Sequence, residues 1–331
     1  MLLLDEKHRA LNELLTDELA QVEARFTGEL RSELDCVNEL IGHVERYRGK
    51  MLRPMLLLIT GRACHRELAI VDAHRTLGAV IEMVHMATLV HDDILDEART
   101  RRQGPTINAL RGNESAVMLG DYLISHAYHL CGSLNDQAYA RVIARTTNTV
   151  CEGELLQLHN RYNWDLEQAT YFEIINRKTG ALCGAACLLG ALVSGADQSI
   201  VDAADRFGVK VGAAFQIIDD VLDLVGAESV AGKTLGLDLD KGKLTLPLIH
   251  LLRRGEPDEQ AQARDLLDRN APDRANQVAA LLKDSGAVDH ARGVAVGLID
   301  EAKSELAALP PTAAPDLPDA MADAAPTRHA S

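Results

Sequence analysis

The sequence predicts an all-α protein, and three observations carry that reading. No proline lies between Pro105 and Pro247, a run of 141 residues, although the chain holds ten prolines. Proline inside a helix costs about 3 kcal/mol, so a long proline-free stretch rich in Ala and Leu favours helix. Apolar residues recur at helical spacing, as in Leu77, Val80, Ile81, Val84 and Thr88, and again in Phe207, Val211, Ala214, Phe215, Ile218 and Leu222. Period-2 alternation of β-branched residues, the mark of a half-buried strand, is hard to find anywhere.

The elements follow in order. The start, MLLLDEKHRA, gives only three apolar residues after Met1 before charge intervenes, too short for the apolar core of a signal peptide. GKMLRP then opens the first long apolar helix, and EMVHMATLVHDD closes another. Gly, Pro and Asn clusters place loops at 99–105, 112–114, 160–165, 226–236 and 255–258. Residues 181–196 are weakly polar and dense in Gly and Ala. They fall short of the ~20 apolar residues of a membrane span, and their small side chains suit close helix packing. Five of the ten prolines crowd the end, after Leu309, where PPTAAPDLPDAMADAAPTRHAS cannot build a core. One helical domain over 1–309 and a disordered tail over 310–331 are expected.

Composition excludes several functions. The chain has 331 residues, with 34 Lys and Arg against 49 Asp and Glu, a net charge of −15. General nucleic-acid binding, which needs clustered cations, is disfavoured, while a small phosphorylated ligand is not. Aromatic residues make up 3% of the chain, too few for base-stacking platforms. The six cysteines, at 36, 64, 131, 151, 183 and 187, contain no CxxC pair. Neither a zinc finger nor a disulfide scaffold follows, and a reducing cytoplasm is the expected location. Cys183 and Cys187 read as small buried residues.

Chemistry concentrates in two copies of one motif, His91-Asp92-Asp93-Ile94-Leu95-Asp96 and Ile218-Asp219-Asp220-Val221-Leu222-Asp223. On a helix, Asp92 and Asp96 share a face one turn apart, as do Asp219 and Asp223. One such motif arises readily as a solvated acidic face; two, each ending an apolar helix, point to a bound cation that neutralises them. Mg²⁺ is held by a few carboxylates, with water and phosphate completing its shell. Basic residues accompany the motifs: Lys50 and Arg53, Arg101 and Arg102, Lys178 with Thr179, Lys233, and Lys243. Each alone reads as surface charge, and together they read as an anion site. His85 lies on the helix that leads to Asp92.

These residues carry a family resemblance. The chain resembles the trans-prenyl diphosphate synthases, from about Lys50 to Leu252, through GKMLRP, HMATLVHDDILDE with RRQGPT, GDYL, EGELLQL, Lys178-Thr179, FQIIDDVLD and GKTLGLDLDKGKLTLPLI. Where the family usually has RRGxPT and GKPxG, this chain has RRQGPT and GKTLG. The resemblance implies an isoprenoid synthase-type helical bundle around a central cavity, a homodimer, and two DDxxD motifs facing across the cavity mouth. It implies that Asp92 and Asp96, with Asp219 and Asp223 opposite, hold Mg²⁺, three ions when substrate is bound. Lys50, Arg53, His85 and Arg102 match the isopentenyl diphosphate pocket. Arg101, Lys178, Thr179, Gln216, Lys233 and Lys243 match contacts to an allylic diphosphate such as farnesyl or geranylgeranyl diphosphate. Asp92, Asp96, Asp219, Lys178 and Arg101 are therefore the expected catalytic group.

In the family, the side chain five positions before the first Asp lines the tunnel that receives the growing chain. Here that residue is Ala87, followed by Thr88, and no aromatic lies between Tyr47 and Tyr122. An open tunnel implies a long product, about C30 to C50, of the kind used for quinone side chains. Short-chain farnesyl or geranylgeranyl synthesis, a terpene cyclase and a non-catalytic subunit of a two-component synthase are the competing readings. A cyclase would carry a different second metal motif and no isopentenyl pocket, and a non-catalytic subunit would have lost aspartates or cations.

Overall fold

Helical periodicity is realised almost throughout. The computed structural model describes residues 9–47, 49, 51–64, 67, 69–101, 104–226, 236–268 and 273–306. Lys50, Arg102, Lys233 and the expected tail at 310–331 lie outside them. Helices α1 (Arg9–Glu29) and α2 (Asp35–Val44), then a 3₁₀ turn at Glu45–Tyr47, lead to α3 (Leu52–Cys64) and α4 (Asp72–Leu95). A two-rung antiparallel ribbon, β1 (Thr100–Arg101) with β2 (Gly104–Pro105), fills the expected loop and pairs Arg101 with Gly104. Next come α5 (Ile107–Gly132) and α6 (Gln137–His159). Their starts are capped by the side chains of Thr106 and Asp136, which accept from the amides of Ala109 and Ala138. The loop expected at 112–114 is only a kink, confined to Gly112 with φ 82°, and α5 continues beyond it.

Helix α7 (Gln168–Ile175) runs through a five-residue π-turn, Asn176–Gly180, into α8 (Ala181–Val193), which is followed by α9 (Gln198–Val225). The short α10 (Leu237–Asp240) precedes α11 (Leu246–Arg254), α12 (Pro257–Asp268), α13 (Arg274–Asp284) and α14 (Ala287–Glu305). Helix α8 packs between α3 and α9, α4 lies against α3 and α5, and α14 covers α9. The close approach of α8 depends on missing side chains: a Cβ on Gly190 would stand 2.3 Å from the carbonyl oxygen of Leu57, and one on Gly208 2.4 Å from that of Cys183. Leu77, Val80, Ile81 and Val84 are buried as their spacing predicts, as are Phe207, Val211 and Ala214. No helix among the described residues is long and apolar enough to cross a membrane.

Candidate active site

Two cavities meet between the ends of α4 and α9. The smaller, about 190 Å³, is lined by Asp92 and Asp96 at the end of α4, Asp219 and Asp220 from α9, Asp238 in α10 and Lys243 just after it. The larger, about 550 Å³, takes in Arg53, His85, Thr88, Phe215 and Leu158. Asp92, Arg101, Lys178, Thr179, Gln216 and Asp219 line both, so they form the shared wall.

The first motif divides by helix phase. Asp92 and Asp96, four apart, face the smaller cavity, while Asp93, rotated about 100°, is buried. Asp93 Oδ1 accepts from Nε and Nη2 of Arg101 at 2.9 and 2.8 Å, which seats the β1–β2 ribbon over the site. Burial raises the pKa of the Asp93 carboxyl, and Arg101 works against that rise. Arg101 is thus held by a carboxylate while still lining both cavities.

Cations crowd Asp96. Lys243, 8% exposed, donates to Oδ2 at 2.9 Å, and Arg161 donates to Oδ1 at 2.9 Å. Burial pushes the Asp96 carboxyl upward, but Lys243, Lys178 and Arg161 hold it below its ordinary value. Lys178 Nζ lies 3.6 Å from Asp92 Oδ2, donates to Gln157 at 3.0 Å and pairs with Glu154. Burial opposes its charge, yet Asp92 and Glu154 outweigh burial and raise its pKa. It is an ammonium at neutral pH.

A hydrogen-bond relay stiffens the opposite wall. The Thr179 hydroxyl donates to Gln216 Oε1 at 2.7 Å, and Gln216 Nε2 donates to Asp220 Oδ1 at 2.8 Å. The Tyr171 hydroxyl donates to Asp220 Oδ2 at 2.7 Å. Burial and the neighbouring charge of Asp238 push Asp220 up to about 7, and the two donors only partly counter them.

Two expected residues stand elsewhere. Asp223 is fully buried and lines neither cavity; its Oδ2 accepts the amide of Asp238 at 3.0 Å and its carbonyl that of Gly236 at 2.7 Å. It pins the start of α10, and Asp220 and Asp238 are the further carboxylates that line the smaller cavity. Ala87 is fully buried with Val80 and Val84, while Thr88, on the face of His85 and Asp92, lines the larger cavity. Glu154, Gln157, Arg161, Tyr171 and Asp238 were not anticipated. The first two fall inside EGELLQL and the last inside GLDLDKGK, so the motifs marked the neighbourhoods without assigning the residues.

The site's donors suit its proposed ligands. Arg53 lines the larger cavity, and its Nε–H is buried with no acceptor among the described residues, as an arginine suited to an anion would be. The carboxylates on the smaller cavity are oxygen donors suited to Mg²⁺. No group of three or more His, Cys, Asp or Glu among the described residues makes a ready cage, so phosphate oxygens and water must complete any metal's shell.

Comparison with known proteins agrees with this geometry. The family model for polyprenyl synthetase matches residues 35–284. Component 2 of heptaprenyl diphosphate synthase from Geobacillus stearothermophilus is 35% identical, over 92% of this chain and 93% of its own length. Nonaprenyl diphosphate synthase from Mycobacterium tuberculosis is 36% identical over 94% and 92%. The crystal structure of a polyprenyl synthase from Caulobacter crescentus, complexed with calcium and isoprenyl diphosphate, superposes with a TM-score of 0.87 at 32% identity, covering 95% of this chain and 94% of that one.

Proposed function

The chain belongs to the polyprenyl synthetase family of prenyltransferases, and we propose that it is a trans-polyprenyl diphosphate synthase, joining an allylic diphosphate to successive molecules of isopentenyl diphosphate. The observation that carries this reading is the arrangement of the two cavities: a carboxylate-lined and lysine-lined chamber opens through a shared wall onto a larger one floored by apolar side chains. The first suits a metal-bound diphosphate, and the second a hydrocarbon chain.

When bound, Mg²⁺ supplies Lewis-acid charge that stabilises the departing diphosphate. Asp92 and Asp96 on one wall and Asp219 and Asp220 on the other are the oxygens that would hold it. Lys178, Lys243 and Arg101 are fixed cations beside them, placed to stabilise charge that develops on the leaving group. Loss of that group leaves an allylic cation, and the double bond of isopentenyl diphosphate attacks it before a proton departs. Arg53, with its unused Nε–H, and His85 are assigned to the diphosphate of the isopentenyl substrate. The apolar walls exclude water from the cation.

A long product fits the absence of any aromatic on the α4 wall and the names of the hepta- and nonaprenyl relatives. All six thiols are free, which suits the cytoplasm. Leu110, Val117, Met118 and Tyr128 leave α5 with exposed apolar side chains, a surface suited to a second copy of the chain. Relatives named as component 2 of a heptaprenyl diphosphate synthase support the two-subunit reading. Incubating the purified chain alone with Mg²⁺, farnesyl diphosphate and labelled isopentenyl diphosphate tests both: long polyprenyl diphosphates are expected, and no incorporation would refute the proposal.

A further inference from the structure

We propose that Arg161 is a positioning residue that keeps Asp96 from taking a bare divalent cation, so that metal enters the site together with the diphosphate. The inference rests on the metal and diphosphate reading above, and extends it to a residue outside every motif in the sequence.

Both oxygens of Asp96 are already engaged, Oδ1 by Arg161 and Oδ2 by Lys243, each at 2.9 Å. The two cations arrive on different segments. Lys243 follows α10, whereas Arg161 stands in the loop after α6 and also reaches the carbonyl of Leu95 at 3.4 Å. The loops are latched together one residue on. Tyr162 adopts φ 61°, uncommon for a bulky side chain; its amide donates to the carbonyl of Gly242 at 2.7 Å. A Cβ on Gly242 would come within 2.5 Å of the Tyr162 ring, so glycine is what permits the contact. This left-handed step turns Arg161 toward Asp96.

A metal that binds Asp96 through Oδ1 must displace this guanidinium. Without a diphosphate, the freed Arg161 loses its carboxylate and gains nothing. Asn160, the residue before it, lines the smaller chamber, so a diphosphate there offers the freed guanidinium an anion, and a charge-assisted Arg–phosphate pair replaces the contact given up. The guanidinium has spare capacity: its Nε–H is buried without an acceptor. Exchange of partners therefore couples metal and diphosphate binding.

The test is titration of the purified chain with Mn²⁺, read by electron paramagnetic resonance, with and without an unreactive allylic thiodiphosphate. Without the diphosphate, Arg161→Gln is expected to bind Mn²⁺ about fivefold more tightly than the wild type, the scale of one partly exposed ion pair. With it, the advantage should vanish. Arg161→Lys, which keeps the charge, should stay nearer the wild type. Unchanged or weaker Mn²⁺ binding by Arg161→Gln would overturn the inference, as would Arg161→Lys behaving like Arg161→Gln. If the wild type binds no Mn²⁺ even with the diphosphate, the metal reading itself fails instead.

Discussion

Replacing Asp220 by Asn should make the metal-free chain more stable at neutral and alkaline pH. Asp220 is 5% exposed, with Asp238 nearby, and its pKa rises from 3.8 to about 7. A carboxyl whose pKa is raised on folding contributes stability that is complete below its unfolded pKa and is lost as pH climbs through the folded one. The window is therefore pH 4 to 7. The shift is about three units at about 1.4 kcal/mol each, so the wild type forfeits about 4 kcal/mol by pH 8. Asparagine never ionises and keeps the contact from Gln216, while the Tyr171 hydroxyl turns to accept from its amide; one remade hydrogen bond costs about 1 kcal/mol. Urea unfolding followed by circular dichroism, in chelator, reads the difference between variant and wild type. Because other groups cancel, that difference should grow by about 2 to 3 kcal/mol in favour of Asp220→Asn from pH 5 to pH 8.5. A difference independent of pH would show that Asp220 ionises freely, and would refute the argument from burial.

Two further substitutions probe the cavity and the core. Thr88→Phe places a ring in the wall of the 550 Å³ chamber and should shorten the products, seen by chromatography; an unchanged product distribution would remove Thr88 from the growing chain's path. Ala87→Phe should instead overpack the core and cost about 1–3 kcal/mol in urea unfolding, and shortened products without lost stability would reverse the two assignments. Gly190→Ala drives a Cβ into the α3 backbone and should lower the melting temperature by several degrees. Gly293→Ala in α14, where the new methyl meets nothing within 4 Å, should raise stability by about 0.5–1 kcal/mol; an equal loss at both glycines would contradict the packing argument.

What the sequence revealed and what it hid divide along a physical line. Helix existence was legible because buried stripes repeat every three or four residues over long stretches, and Asp92, Asp96 and Asp219 because carboxylates at helical spacing are locally recognisable. The hidden residues depend on distant partners. Arg161 matters only because folding carries it 65 positions back to Asp96, and Tyr171 because it meets Asp220 across 49 residues. Ala87 and Thr88 differ by a single step of helix phase, which periodicity alone cannot fix to the nearest residue. Asp223 satisfies the motif's spacing, yet the return of the chain through Gly236 and Asp238 turns it into an anchor. The break at Gly112 was marked but overdrawn as a loop, because a single residue of positive φ leaves the helix intact on both sides.

The π-turn at Asn176–Gly180 bears on what insertions and deletions this protein tolerates. A π-turn amounts to a helix that has absorbed one added residue, so the segments on its two sides keep the mutual orientation of a regular helix one residue shorter. Upstream, that orientation aims Tyr171 at Asp220; downstream, it lays Gly184 and Gly190 against α9 and α3. The wide turn is itself gripped, since a Cβ on Gly153 of α6 would fall 2.8 Å from the amide nitrogen of Lys178. Drawing this turn into a regular α-helix without removing a residue would rotate one half against the other by about 100°. Either the glycine contacts or the Tyr171 bond would then be lost, although no contacting residue had been substituted. The extra residue and the wide turn that absorbs it therefore belong together: removing the residue calls for a plain α-helix here, and keeping it calls for the π-turn.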